Sequence, residues 1–177
     1  MELKPRRIVI ADGRTTVSRP RRVDIATQPG TSYFELWSAT DVPRLPHDGS
    51  DPAAARGPLR PLRGGNVFRI ARLPPVNELG SVEDDPDQVE RIVGEYESAF
   101  DVTIEDPEDH ASDAVIYTVV LAGEAVVTIG DESVRVRPGD TVVNLGDDTH
   151  WHNRGPEPCY LASVAIAATR TSDDKLR

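Results

Sequence analysis

From residue 114 onward the chain carries short, largely apolar runs separated by turn residues, an all-β pattern. Ala114–Leu121, Ala125–Ile129, Ser133–Val136, Thr141–Leu145 and Tyr160–Ala167 each read as a strand. They are divided by Ala122-Gly123-Glu124, Gly130-Asp131-Glu132, Arg137-Pro138-Gly139-Asp140 and the 146–159 connection. Short strands at such intervals predict a barrel or a sandwich.

The first seventy or so residues read as strands separated by loops. Arg7-Ile8-Val9-Ile10 runs into Asp12-Gly13, a hairpin turn signal, and on into Thr15-Thr16-Val17. Thr31–Thr40 is a second candidate, carrying Tyr33, Phe34, Leu36 and Trp37, and Asn66–Leu73 alternates up to Pro74-Pro75. The stretch Val42–Gly65 is rich in Pro, Gly and Ala and too poor in large apolar residues for core, so it reads as a long surface loop or lid. One helix is predicted over 85–100. Asp85-Pro86 supplies its cap and first turn, and Val89, Ile92, Val93, Tyr96 and Phe100 recur on one face, the aromatics suited to packing on a sheet.

Composition narrows the function classes. Thirty acidic against twenty basic residues give a net charge of −10, which argues against a nucleic-acid partner. The charge is uneven: residues 1–22 hold seven bases, and residues 78–113 hold fourteen acids against Arg91 alone. The basic block reads as a solvated arm or a subunit contact. The single cysteine, Cys159, excludes an intrachain disulfide and Cys-rich metal sites, and it reads as a small core residue. No run approaches the roughly 18 apolar residues of a membrane span, and the N-terminus lacks an apolar signal region, so no membrane partner and a cytoplasmic location are expected.

His110, Tyr117, Leu121-Ala122-Gly123-Glu124, the Arg137–Asp140 turn, Gly146 and Trp151-His152-Asn153 fall in the order and spacing of a cupin barrel. The chain resembles small single-domain cupins over 108–168, and more loosely over Val67–Pro75 and Phe34–Trp37. The resemblance implies a mainly all-β fold: a cupin-type jelly-roll β-barrel with one preceding α-helix and an extended N-terminal arm, all within one domain spanning 1–177. It also implies a homodimer. Metal-dependent cupins would place ligands at His110, Ser112, Ile116 and Thr149 in this register. Only His110 is a competent ligand, so the metal motif is degenerate and no cofactor is favoured. In an alternative register a one-residue bulge after Asp147-Asp148 turns His150 and His152 inward. With His110 and Asp148 they would hold a divalent metal (Fe, Mn, Ni or Zn).

Without metal, alternation lines the cup with Ile116, Thr118 and Val120, faced by Thr149, Trp151 and Asn153, with Ser112 at the rim. Phe34, Trp37 and Phe68 are candidate further walls. The candidate catalytic residues are His110 as acid/base, Trp151, which reads equally as substrate platform or barrel core, and His152. Tyr117 points away from the cup and reads as core. The implied function is a small-molecule tailoring enzyme performing non-redox acid/base chemistry (dehydration, isomerisation or cyclisation) on a polyketide-like or aromatic metabolite. Two alternatives stay open: a metal-dependent dioxygenase using His150 and His152, and a non-catalytic small-ligand-binding cupin.

Overall fold

Eleven strands and one 3₁₀ turn make up the described part of the chain in a computed structural model. The structure describes residues 2–47, 49–54, 57–58, 60–75, 77–78, 91, 94–95, 97–98 and 113–169. The strands are β1 (Arg7–Ala11), β2 (Arg14–Ser18), β3 (Arg21–Asp24), β4 (Ser32–Ala39), β5 (Asn66–Leu73) and β6 (Ala114–Ala122). They continue as β7 (Ala125–Ile129), β8 (Glu132–Val136), β9 (Thr141–Asn144), β10 (His150–His152) and β11 (Cys159–Ala167).

They form a six-stranded sheet in the order β3-β4-β5-β11-β6-β9, a three-stranded sheet β10-β7-β8, and the separate hairpin β1-β2. Every pairing is antiparallel. The two larger sheets meet on one apolar core. Val120, Cys159 and Leu161 come from the large sheet, and Ala125, Val127 and Val136 from the small one. Ala71, Leu73, Val142 and Trp151 pack around them.

The predicted strands lie where the alternation places them, with two additions. β3 is the short charged run Arg-Arg-Val-Asp, and β10 is three residues inside the predicted 146–159 connection. Neither is long enough to show a period. The hairpin turn is as expected: Asp12 and Gly13 have φ of 49° and 67°, the left-handed values a two-residue turn of this twist requires. Within the predicted helix, Arg91, Gly94, Glu95, Glu97 and Ser98 are helical, and the rest of 85–100 lies outside the described residues.

The Val42–Gly65 stretch is not simply a surface loop. Its 3₁₀ turn Pro52–Ala54 buries Ala53 to 6% exposure. Arg7 reaches it from the hairpin and donates to both carboxylate oxygens of Asp51, and the Arg7 Nη1–Asp51 Oδ1 contact is 2.8 Å. Further on, the Pro58 carbonyl accepts a hydrogen bond from Arg69 of β5. Small residues and carbonyls here do what large apolar side chains do elsewhere.

Candidate functional site

Directly paired residues of neighbouring strands share a face, so the register lays out the inner surface of the six-stranded sheet row by row. The core row contains Ala71, Leu161 and Val120. The next row reads Arg21, Glu35, Arg69, Ser163, Thr118 and Val142, across β3, β4, β5, β11, β6 and β9. Five polar side chains thus cross the sheet one pleat beyond an apolar core.

Within this row Arg69 Nε donates to Glu35 Oε1 at 2.5 Å, and the two side chains are 9% and 3% exposed. Burial of both charges is tolerable because each is paired and the Arg69 Nη2 is taken up by the Pro58 carbonyl. Gly57 closes over Glu35: a Cβ there would stand 3.0 Å from Oε2, so any other residue would press on the carboxylate. The hydroxyls of Thr118 and Ser163 are 2.9 Å apart, which leaves one of the two protons for another acceptor. Thr118 is 5% exposed.

The candidate residues fall into distinct groups. Ile116, Thr118 and Val120 do share the inner face of β6, but Val120 is core, 2% exposed among Val127, Val136 and Leu161. Trp151 packs against that same core from β10. Asn153 is a turn residue: Nδ2 donates to the carbonyls of Leu73 and Glu157, at 3.2 and 2.8 Å, and Oδ1 accepts from the Gly155 amide. The Thr149 hydroxyl accepts from Asn144, whose side chain organises the 144–149 turn. His110 and Ser112 lie outside the described residues.

Phe34, Trp37 and Phe68 stand on the opposite face of the sheet from Thr118. Phe34 pairs with Ile70, and both are buried with Leu36 and Tyr160 in a second cluster. Trp37 pairs with Phe68 across a bulge, and these two line an outer groove of about 620 Å³ with Ile8 and Leu121. Alternation explains the reversal: in β5 it is Arg69 and Ala71, not Phe68 and Ile70, that face the interior. Tyr117 does point away from the barrel, yet it is 48% exposed and not core.

His150 and His152 flank Trp151 on the three-residue β10 and are exposed, while Trp151 turns inward. Asp148 pairs with His150 at 3.5 Å. The bulge that would turn both imidazoles inward is not present. Of the four positions the resemblance assigns to metal ligands, the two described ones are Ile116, a hydrocarbon, and Thr149, whose hydroxyl is already bonded to Asn144. Among the described residues no three His, Cys, Asp or Glu side chains converge on a point. The described donors do not fit a metal, and no chemical step is derived through one.

Glu35, Arg69, Ser163 and Arg21 were missed by the sequence reading. The signal was a lone charge inside each apolar run: Glu35 between Phe34 and Leu36, and Arg69 between Phe68 and Ile70. Cys159 is wholly buried, and burial pushes its thiol up to about 11, so it is inert at neutral pH.

Two sheets closed over one core, with antiparallel strands throughout, define a barrel of the jelly-roll class. Residues 102–165 match the Cupin_2 family model, described as a cupin domain, and the chain carries a cupin domain there. No curated protein matches the chain. Among solved structures it is similar to the polyketide cyclase RemF from Streptomyces resistomycificus, with 15% identity over 88% of this chain and 83% of that one, at a TM-score of 0.44. A putative ethanolamine utilization protein from Salmonella typhimurium is 12% identical over 96% and 99%, at 0.46. A predicted oxalate decarboxylase from Thermotoga maritima is 15% identical over 84% and 91%, at 0.42. At these identities and scores no residue role passes from them to this chain. Among the described residues no helix is long and apolar enough to cross a membrane.

Proposed function

We propose that the barrel binds a small, partly apolar organic molecule and transforms it by moving protons: a dehydration, isomerisation or cyclisation of a polyketide-like or aromatic metabolite. One observation supports this reading above the others, the row Glu35–Arg69–Ser163–Thr118, half-buried at Ser163 and buried elsewhere, set against hydrocarbon. Apolar walls with a few convergent polar groups suit a small-molecule site. Preorganised charges and hydroxyls away from water favour the charge separation of proton transfer. His110, the residue the motif nominates, is the proton carrier in this proposal, and Thr118 positions the substrate. In turnover assays against aromatic and polyketide-like compounds, His110→Ala lowers kcat by about 10²–10⁴-fold. Thr118→Val acts mainly on KM. Wild-type turnover by His110→Ala overturns the acid/base reading, and a tightly bound compound recovered unchanged makes the domain a binding module instead.

We propose further that a second copy of this chain covers the outer face of the large sheet. Phe68, Tyr117, Val119, Leu121, Val143 and Ile166 are each 38–57% exposed there. A strip of this kind exceeds the singly scattered apolar residues of an ordinary surface.

A further inference from the structure

Arg21 opens the polar row at the edge of the large sheet, directly paired with Glu35. Its neighbour Arg22 faces the other way and is fully engaged, lying 5.7 Å over the Phe34 ring and donating to Asp24 at 2.6 Å. Arg21 is different. Its Nε and Nη2 are closed off from solvent and make no hydrogen bond among the described residues. The row therefore holds two guanidinium groups and one carboxylate, and Glu35 Oε1 is already taken by Arg69.

A buried donor without an acceptor is costly, and a charged one more so, so groups of this kind are completed by an ordered water, an ion or a ligand. The two nitrogens in question are adjacent on one edge of the planar guanidinium. That edge receives a carboxylate through two parallel hydrogen bonds. We propose that the Nε/Nη2 edge of Arg21 is the anchor for the carboxylate of an organic acid, whose apolar body lies along the row toward Thr118 and Val142. The inference deepens the preceding functional reading and rests on the barrel holding a ligand, but it does not require turnover.

Calorimetric titration with benzoate and its neutral counterpart benzamide, and with acetate and acetamide, tests this on the full chain. Wild-type protein should prefer each carboxylate to its amide by at least about tenfold, the effect of one or two charge-assisted hydrogen bonds. Arg21→Met should abolish that preference, and Arg21→Lys, which keeps the charge but not the planar edge, should keep only part of it. Ligand-free Arg21→Met should melt no lower than wild type, because the Nε and Nη2 it removes make no hydrogen bond among the described residues. Unchanged carboxylate preference in Arg21→Met, or no preference in wild type, overturns the anchor. So does a marked drop in the melting temperature of ligand-free Arg21→Met, since it assigns Arg21 a purely structural role. Carboxylate binding through Arg21 in a protein that turns over no compound leaves the anchor standing and defeats the catalytic reading alone.

Discussion

Arg69 and Glu35 face each other across β5 and β4, joined at 2.5 Å and almost wholly buried. Such a pair is held against a large desolvation cost, and the cost appears when one partner is removed. Arg69→Met alone strands the Glu35 carboxylate and should lower stability by about 3–5 kcal/mol. Replacing both, Glu35→Leu with Arg69→Met, should recover most of that loss, because apolar side chains of similar volume need no partner. Chemical denaturation of the two variants measures the difference. Equal destabilisation by the single and the double variant would mean that the pair's fit to the Gly57–Pro58 loop matters more than its charge.

The thiol of Cys159 gives a pH-dependent prediction. Its folded pKa is raised by burial to about 11. A raised acid keeps its proton longer in the folded state, so its contribution is intact below the ordinary thiol pKa and is lost as pH climbs toward 11. A thiol reagent at pH 8 should leave the native protein unmodified and label it fully once unfolded. Rapid native labelling would show that the core between the two sheets opens readily.

At the other end of the pH scale, Asp51 ties the hairpin to the loop. The Arg7 hydrogen bond holds its carboxyl below the ordinary range, and burial opposes this only in part. A depressed carboxylate stabilises above its unfolded pKa and loses that contribution as pH falls through the folded one. Limited proteolysis within the first twenty residues should therefore quicken in acid. Asp51→Asn should give the same faster cleavage at neutral pH, and indifference to both changes would remove the anchor's importance.

The outer face supplies a test of assembly. Tyr117 and Val143 are paired neighbours, 48% and 57% exposed. Placing a charge there, as in Tyr117→Asp, should shift the mass measured by light scattering from two chains to one while leaving far-ultraviolet circular dichroism unchanged. A wild-type protein that is already monomeric at micromolar concentration defeats the proposal.

The sequence disclosed the strands far better than their faces. β6 to β9 and β11 could be read because their turns carry Gly, Pro and Asp at the places the chain must reverse. The inner side of β5 could not. Val67, Arg69 and Ala71 compete with Phe68 and Ile70, both sets are partly apolar, and the larger side chains lie on the outside. A period of two fixes which residues travel together, not which set meets the core. Asn153 misled for a different reason. An amide three residues into a motif looks like a ligand group, and only the positions of the Leu73 and Glu157 carbonyls reveal that it is fully used in shaping a turn. His150 and His152 alternate with Trp151 on β10, and because Trp151 turns to the core both imidazoles face outward.

β5 carries a practical lesson for anyone redesigning this molecule. Its even-numbered positions lie on the outer side of the sheet, where Phe68 is partly exposed and Ile70 is buried in the second cluster, and its odd-numbered ones, Arg69 and Ala71, lie on the inner side. Substitutions at Phe68 therefore act on the outer face, whereas those at Ile70, Arg69 and Ala71 each disturb packed side chains on one side of the sheet or the other. One strand of eight residues thereby serves two separate cores.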